Sequence, residues 1–217
     1  MTFKQMHDQV VQWLGLQDIT SYDEDKLAAD KLYEGTLDLL ARTRCVARCV
    51  QLHVSPNEAE YTLDHAILAL VDVENGARQR LRRDQQDQFA SYGFTLIRSD
   101  VLRVVPTPSE SGTLQVWAVM RPQQMSADTD SPGQEAFGAI PDEFHDAIVT
   151  YALWKCADYT DDSTTQNGEY YRVLYEGQDG RGGRLAQIKV AVNKRGTARA
   201  PRAHVRAKSV SGSGAYI

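Results

Sequence analysis

Cysteine is scarce in this chain, and long apolar runs are missing. Its 217 residues include only Cys45, Cys49 and Cys156. An odd number of thiols makes a poor disulfide framework. A zinc site needs about four ligands at tight spacing, and no second Cys/His pair accompanies Cys45 and Cys49. Reduced, buried thiols are the expectation. No apolar stretch approaches the roughly 18–20 residues of a membrane span, so no membrane partner is expected. The first residues carry no basic-then-apolar leader, and the protein is expected to mature in the cytoplasm where it is made.

Signatures of catalysis are sparse as well. His7, His53, His65, His145 and His204 fall in five different predicted elements, with no two at ligand spacing. Asp158, Asp161 and Asp162 lack the alternating oxygens and terminal glutamate of a calcium loop, and read as helix-end caps. Gly177 to Arg184 is glycine-rich like a phosphate cradle, but lacks the Gly-Lys-Ser/Thr ending and a buried strand leading into it; it reads as a helix break or hinge. No Gly-x-Ser-x-Gly elbow is present. No catalytic residue, cofactor or metal ion is therefore expected. A metal-dependent enzyme is the last of the alternatives.

What is present is a segregation of charge. From Arg181 onward the chain carries nine basic residues and no acid, which leaves 15 of its 24 basic residues and all 29 acidic ones in positions 1–180. A net charge of +9 thus follows one of −14. Such a basic terminal segment implies an acidic partner, either nucleic acid or a protein groove, with a solubilising tail as the bland reading. Arg199, Arg202 and Arg206 recur every three or four residues, a spacing at which guanidinium groups can pair bidentately with carboxylates or phosphates. Tyr216-Ile217 closes the chain with an apolar anchor, which tilts the reading toward a protein groove.

Periodicity supplies the layout. Phe3, Met6, Val10 and Leu14 mark a first helix, with Thr2 as its N-cap and Gly15 as its stop. Leu27, Ala29, Leu32, Tyr33, Thr36, Leu37 and Leu40 mark a second, ending at Arg42 and Arg44. The period then changes to two. Val46 to Val54 reads as a strand, Ser55 to Glu58 as a turn, and Tyr61 with Leu63 as the returning strand. Ile67–Val73 reads as a buried strand, Asn75-Gly76 as a turn, and Arg78 to Gln88 as a loop or short exposed helix. Further strands are predicted over Phe94–Val105 and Leu114–Met120, with the proline-rich Pro106–Gly112 between them. After a polar connector, Pro141, Asp142 and Glu143 open the best-marked helix. Phe144, Ile148, Tyr151 and Trp154 are its expected core residues. Tyr170, Tyr171, Leu174 and Tyr175 mark another helix, and Leu185, Ile188 and Val192 a last one.

The fold class expected is α+β: a bundle of four to five helices with an inserted small antiparallel β unit and an extended C-terminal arm. The segments are 1–45 (bundle), 46–122 (β insertion), 123–139 (connector), 140–195 (bundle) and 196–217 (basic arm).

Three stretches carry a family likeness. They are Ile140-Pro141-Asp142-Glu143-Phe144 running through Tyr151-Ala152-Leu153 to Ala157; Leu102 to Pro108 followed by Leu114-Gln115-Val116-Trp117 and closed by Arg121-Pro122; and the N-terminal helix with a second helix feeding the β insertion. In their order they resemble the head–tail adaptor, or connector, proteins of tailed bacteriophages. The resemblance implies a structural virion protein that forms a ring, expected to be a dodecamer, beneath the portal. It would join a downstream neck or tail protein, and double-stranded DNA would pass through the channel without sequence-specific binding. It also implies that the C-terminal segment inserts into the portal, with Arg195, Arg199, Arg202, Arg206, Lys208, Tyr216 and Ile217 as contact residues. The acidic body would suit a channel wall that must not grip phosphates. A nucleic-acid-binding protein using the same arm is the runner-up; a stopper or tail-completion protein is a third reading.

Overall fold

The computed structural model of the protein describes residues 1–16, 23–64, 66–74, 82–83, 93–157, 165–178 and 181–196. Helix α1, Phe3–Leu16, begins where the sequence signals it should. The Gln5 backbone N–H reaches the Thr2 hydroxyl at 3.3 Å while the Thr2 N–H donates to Gln5 Oε1 at 2.9 Å, a reciprocal capping box. Gly15 is not the stop, since the helix runs through Leu16. Helix α2, Glu24–Thr43, is capped by Asp23, whose side chain accepts from the Lys26 N–H, and ends at Arg44 in the left-handed region.

The buried stripe of α2 differs from the expected one. Ala28, Gly35, Leu39 and Thr43 face inward, while Ala29, Tyr33 and Leu37 are only half-buried. The reason is close packing on helix α3, His145–Ala157: a Cβ built on Gly35 would meet the Ile148 carbonyl oxygen at 3.1 Å. Thr36 and Thr43 can be buried because each hydroxyl donates to the carbonyl four residues back, on Leu32 and Leu39.

Between α2 and α3 the described residues form seven strands: β1 Arg48–Val54, β2 Glu60–Thr62, β3 Ile67–Glu74, β4 Arg82–Arg83, β5 Gly93–Arg98, β6 Val101–Val105 and β7 Gly112–Met120. They form two sheets, ordered β1-β7-β3 and β2-β6-β5-β4. Three expectations are corrected. The chain does not return along β1 after Ser55–Glu58. Instead β2 joins the other sheet, and Asn57, at φ 63°, donates its N–H to Pro108 across the divide. The long strand over Phe94–Val105 is two strands, paired antiparallel around Ser99-Asp100. That turn is pinned because the Ser99 and Asp100 carbonyls accept from Ile67 and Leu63. Arg82–Arg83, inside a stretch expected to be loop or helix, pairs parallel with β5; the other ladders of the two sheets are antiparallel. Asn75-Gly76 lies outside the described residues.

One core fills the space between the sheets, with Val73, Leu102, Val116 and Ala118 all but sealed from solvent. A second core lies among the helices. Strand β7 serves both, because alternation sends Val116 and Ala118 to one side and Val119 to the helical side. The connector returns to the helices through buried Met125 and Ile140, and the Asp130 carbonyl accepts the Phe3 N–H at 2.6 Å.

Helix α3 follows a 3-10 turn over Asp142–Phe144 with Pro141 as its cap. It packs against α1, α2 and helix α4, Thr165–Glu176. Its burial extends round most of its circumference, from His145 and Ala147 through Thr150 to Cys156. The two-residue strands β8, Gly177–Gln178, and β9, Arg181–Gly182, then pair as a hairpin where a helix break was expected. Helix α5, Arg184–Gly196, packs on α2 and α4. The protein is thus mixed helix and sheet, α+β, with five α-helices, two small sheets and the β8–β9 hairpin among the described residues. The stop expected at Asp161-Asp162-Ser163 lies outside the described residues.

Candidate functional site

The side chains that the fold brings together serve first as an internal brace. Tyr175, on the last turn of α4, is fully buried, and its hydroxyl donates to Asp38 Oδ2 on α2 at 2.7 Å. Asp38 also lies 3.7 Å from Arg42, which pairs with Glu176 at 2.7 Å; Arg172 approaches Glu176 at 3.5 Å. Tyr151 meets Tyr175 edge-on at 5.3 Å between ring centroids and Trp154 at 5.5 Å, and Lys155 Nζ sits 3.8 Å over the Trp154 ring. Burial, reinforced by the hydrogen bond to Asp38 and its charge, pushes the Tyr175 phenol far up, so it stays a donor at any working pH.

His145 is another buried polar side chain of the helical layer. It is fully enclosed, with Nε2 3.0 Å from the Ile140 carbonyl and Nδ1 2.8 Å from the Met1 ammonium. A carbonyl only accepts, so Nε2 carries the proton and Nδ1 accepts from Met1. Burial lowers the imidazole pKa, and the Met1 charge pushes the same way.

The expected core residues of α3 are placed as follows. Phe144 and Ile148 are buried at 5% and 0% exposure, while Tyr151 and Trp154 are partly buried against the same core. Among the other singled-out residues, His7 contacts the Asp25 carbonyl at 3.0 Å and His53 lies 3.5 Å from the Thr113 hydroxyl. Cys156 is buried as expected, but Cys49 is exposed, because it takes the outer phase of β1. Among the described residues, no group of three or more His, Cys, Asp or Glu could hold a metal ion. Nor is any described helix long and apolar enough to cross a membrane.

The surface of α4, the hairpin and α5 differs in character. Leu185 and Ile188 anchor α5 in the helical core. Its outer side, with Ala186, Val190 and Ala191, lines a depression of about 440 Å³ that includes Gly182 and Lys194. An adjoining depression of about 610 Å³ is lined by Val173 and Leu174 of α4, the hairpin glycines and Arg184. Val190 is 53% exposed and Tyr170 62%, although sequence periodicity had put Tyr170 on an inner stripe; Tyr175 takes the inner place. Arg184 lies 3.8 Å from Asp146. Of the seven expected portal contacts, Arg195 lies in α5, and Arg199, Arg202, Arg206, Lys208, Tyr216 and Ile217 lie outside the described residues. Sequence reasoning missed Val190; the one signal was a valine among Lys189, Asn193 and Lys194.

The family model described as SU10 adaptor protein matches residues 1–204. The chain belongs to that family. It is a phage head–tail adaptor family, structural rather than enzymatic, and its members are virion components. The match takes in every helix and strand of the described residues and the first part of the acid-free stretch. None of the curated proteins matches the chain.

Proposed function

We propose that the protein is a head–tail adaptor subunit that forms a ring on the portal and links the DNA-filled head to the tail, with DNA passing through the channel. A dodecamer is the stoichiometry in this reading, and a downstream neck or tail protein is the partner on the far side. The helices of 1–45 and 140–195 act as one bundle, with 46–122 as an inserted β unit, 123–139 as a connector and 196–217 as an extended arm. The arm contacts the portal through Arg195, Arg199, Arg202, Arg206, Lys208, Tyr216 and Ile217. Assembly takes place in the host cytoplasm. The observation that carries the reading is the family match over residues 1–204. The acid-free run from Arg181 supports a docking arm, since cations there meet no acid within their own segment.

The test is to mix the full chain with purified portal rings and image the product. An added ring of density is expected, and it should be lost when Thr197–Ile217 are deleted. No added ring, or an unaltered one after the deletion, refutes the assignment. The same run of cations favours DNA as a second reading. It requires duplex affinity that falls with salt at a slope of about −0.9 per phosphate neutralised.

A further inference from the structure

His145 sits where three parts of the chain meet. At the start of α3 its ring is fully enclosed, with Nε2 donating to the Ile140 carbonyl of the connector and Nδ1 accepting from the Met1 nitrogen at 2.8 Å. Two further bonds tie the same end of α1 to the connector. The Ser131 hydroxyl donates to the Met1 carbonyl at 3.1 Å, and the Phe3 N–H to the Asp130 carbonyl at 2.6 Å. Full burial starts deeper: Met1 and Thr2 are half-buried, whereas Met6, Val10 and Leu14 have no exposure. The first turn is thus tied by polar bonds and the rest of the helix by burial.

A proton on Nδ1 removes the acceptor from the Met1 bond. The ring then faces the Met1 nitrogen donor to donor, and water does not reach it to solvate the added charge. Asp142, 3.6 Å from Nε2, favours the charged ring, but its side chain is 89% exposed and screened. Charges on the surrounding elements are matched elsewhere. On α1, Lys4 lies against Asp8 and His7 against Asp25, and on α2 Lys31 lies against Glu34. Asp38 and Arg42 serve the Tyr175 brace, and Asp146 of α3 lies toward Arg184. In the connector, the Asp130 carboxylate accepts the Ser126 and Ala127 N–H groups.

We propose that His145 is a pH-operated latch: its protonation expels the Met1 nitrogen and frees the first turn of α1 from Asp130 and Ser131, while Met6, Val10 and Leu14 keep the remainder of α1 docked. In the open form the ring meets water and titrates near its ordinary value of 6.5, whereas the closed form resists the proton, so opening is favoured as pH falls. The latch does not depend on the adaptor reading.

Amide hydrogen exchange of the full chain, read at Phe3 by fragmentation mass spectrometry and corrected for intrinsic rates, tests this at pH 7.5 and 5.5 over a series of low urea concentrations. Opening at Phe3 should be nearly insensitive to urea, as a local event exposes little surface, while amides around Ile148 respond. The open population should be about fivefold to tenfold larger at pH 5.5. His145→Gln keeps a donor for Ile140 and an acceptor for Met1 without titrating, and should hold that rise below about twofold. His7→Gln should leave the rise intact, and decides the matter if His145→Gln does not fold. Phe3 exchange that tracks the α3 amides in urea, a local opening unchanged by pH, a full rise in His145→Gln, or its loss in His7→Gln overturns the proposal.

Discussion

Replacing Tyr175 with Phe removes one oxygen from the middle of the helical layer and little else. The ring keeps its edge contact with Tyr151 at 5.3 Å and its place beside Trp154 at 6.3 Å, so packing is held nearly constant. What is lost is a 2.7 Å hydrogen bond to a carboxylate. Hydrogen bonds to charged groups contribute about 1.5–3 kcal/mol net. Asp38 retains 26% side-chain exposure and the neighbouring Arg42, so water and guanidinium can recover part of that. A cost of about 1–2 kcal/mol remains. At about 2–4 °C per kcal/mol for a chain of this size, Tm should drop by about 2–8 °C. Urea titration of the parent, Tyr175→Phe, Asp38→Asn and the double variant supplies a thermodynamic cycle. A coupling energy of about 1 kcal/mol is expected, because the two groups touch directly. A Tyr175→Phe cost below about 0.3 kcal/mol, or zero coupling with Asp38, would refute the assignment of this hydroxyl as the α2–α4 link.

His145 gives a pH dependence whose sign follows from its depressed pKa. As pH falls below the unfolded value of 6.5, the unfolded chain takes up a proton that the folded chain refuses, so stability declines; one group contributes at most about 1.4 kcal/mol per pH unit. His145→Gln, compared with the parent by urea titration from pH 7.5 to 5.5, should flatten that slope, and parallel slopes would contradict the account. Ile148→Ala, at a position with no exposure, should cost about 2–5 kcal/mol, whereas Glu60→Gln, in a half-exposed pair with Arg103, should change stability by less than about 1 kcal/mol. Gly35→Ala should destabilise in thermal melts instead of giving the gain of about 1 kcal/mol that Ala brings to an open helix, since its Cβ would press on the Ile148 carbonyl.

The helices were legible where their signals are local. Thr2 with Gln5 marks a start by side-chain hydrogen bonds within a single turn, whereas Pro141 marks one by its fixed φ, with Asp142 and Glu143 in the first turn and no side-chain cap; Pro141 stands as the N-cap, one place before the first helical position expected of it. Phase was harder to read. The inward face of α2 includes Gly35, Thr36 and Thr43, buried because α3 comes close and because threonine hydroxyls satisfy themselves on their own helix; hydropathy registers neither cause. Strand pairing was illegible for a different reason. β1 pairs with β7 across some sixty intervening residues, as in Cys49 opposite Trp117, and nothing local distinguishes that partner from the nearer β2. The last helix was legible by phase: Leu185, Ile188 and Val192 share the stripe that helical spacing assigns and pack in or against the helical core, while Val190, off that stripe, is exposed.

The placement of polar groups bears on what such a molecule is for. Catalysis asks a fold to hold donors, acceptors and titratable groups in an open cleft with capacity left over for a substrate. Here the convergent polar groups, Tyr175, Asp38, Arg42, Glu176 and Arg172, are matched to one another, and they join α2 to α4. His145 likewise has both ring nitrogens engaged, with Met1 and Ile140. The open depression, by contrast, is lined by valine, leucine, alanine and glycine together with Gln178, Gln187, Arg184 and Lys194. Apolar surface with a charged border gives affinity through burial and orientation through charge, without requiring motion of the groups behind it. On the adaptor reading proposed above, a braced interior suits a subunit held between neighbours. Weakening the brace at Tyr175 should therefore lower stability while leaving the chemistry of the α5 face intact, and changing Val190 should do the converse.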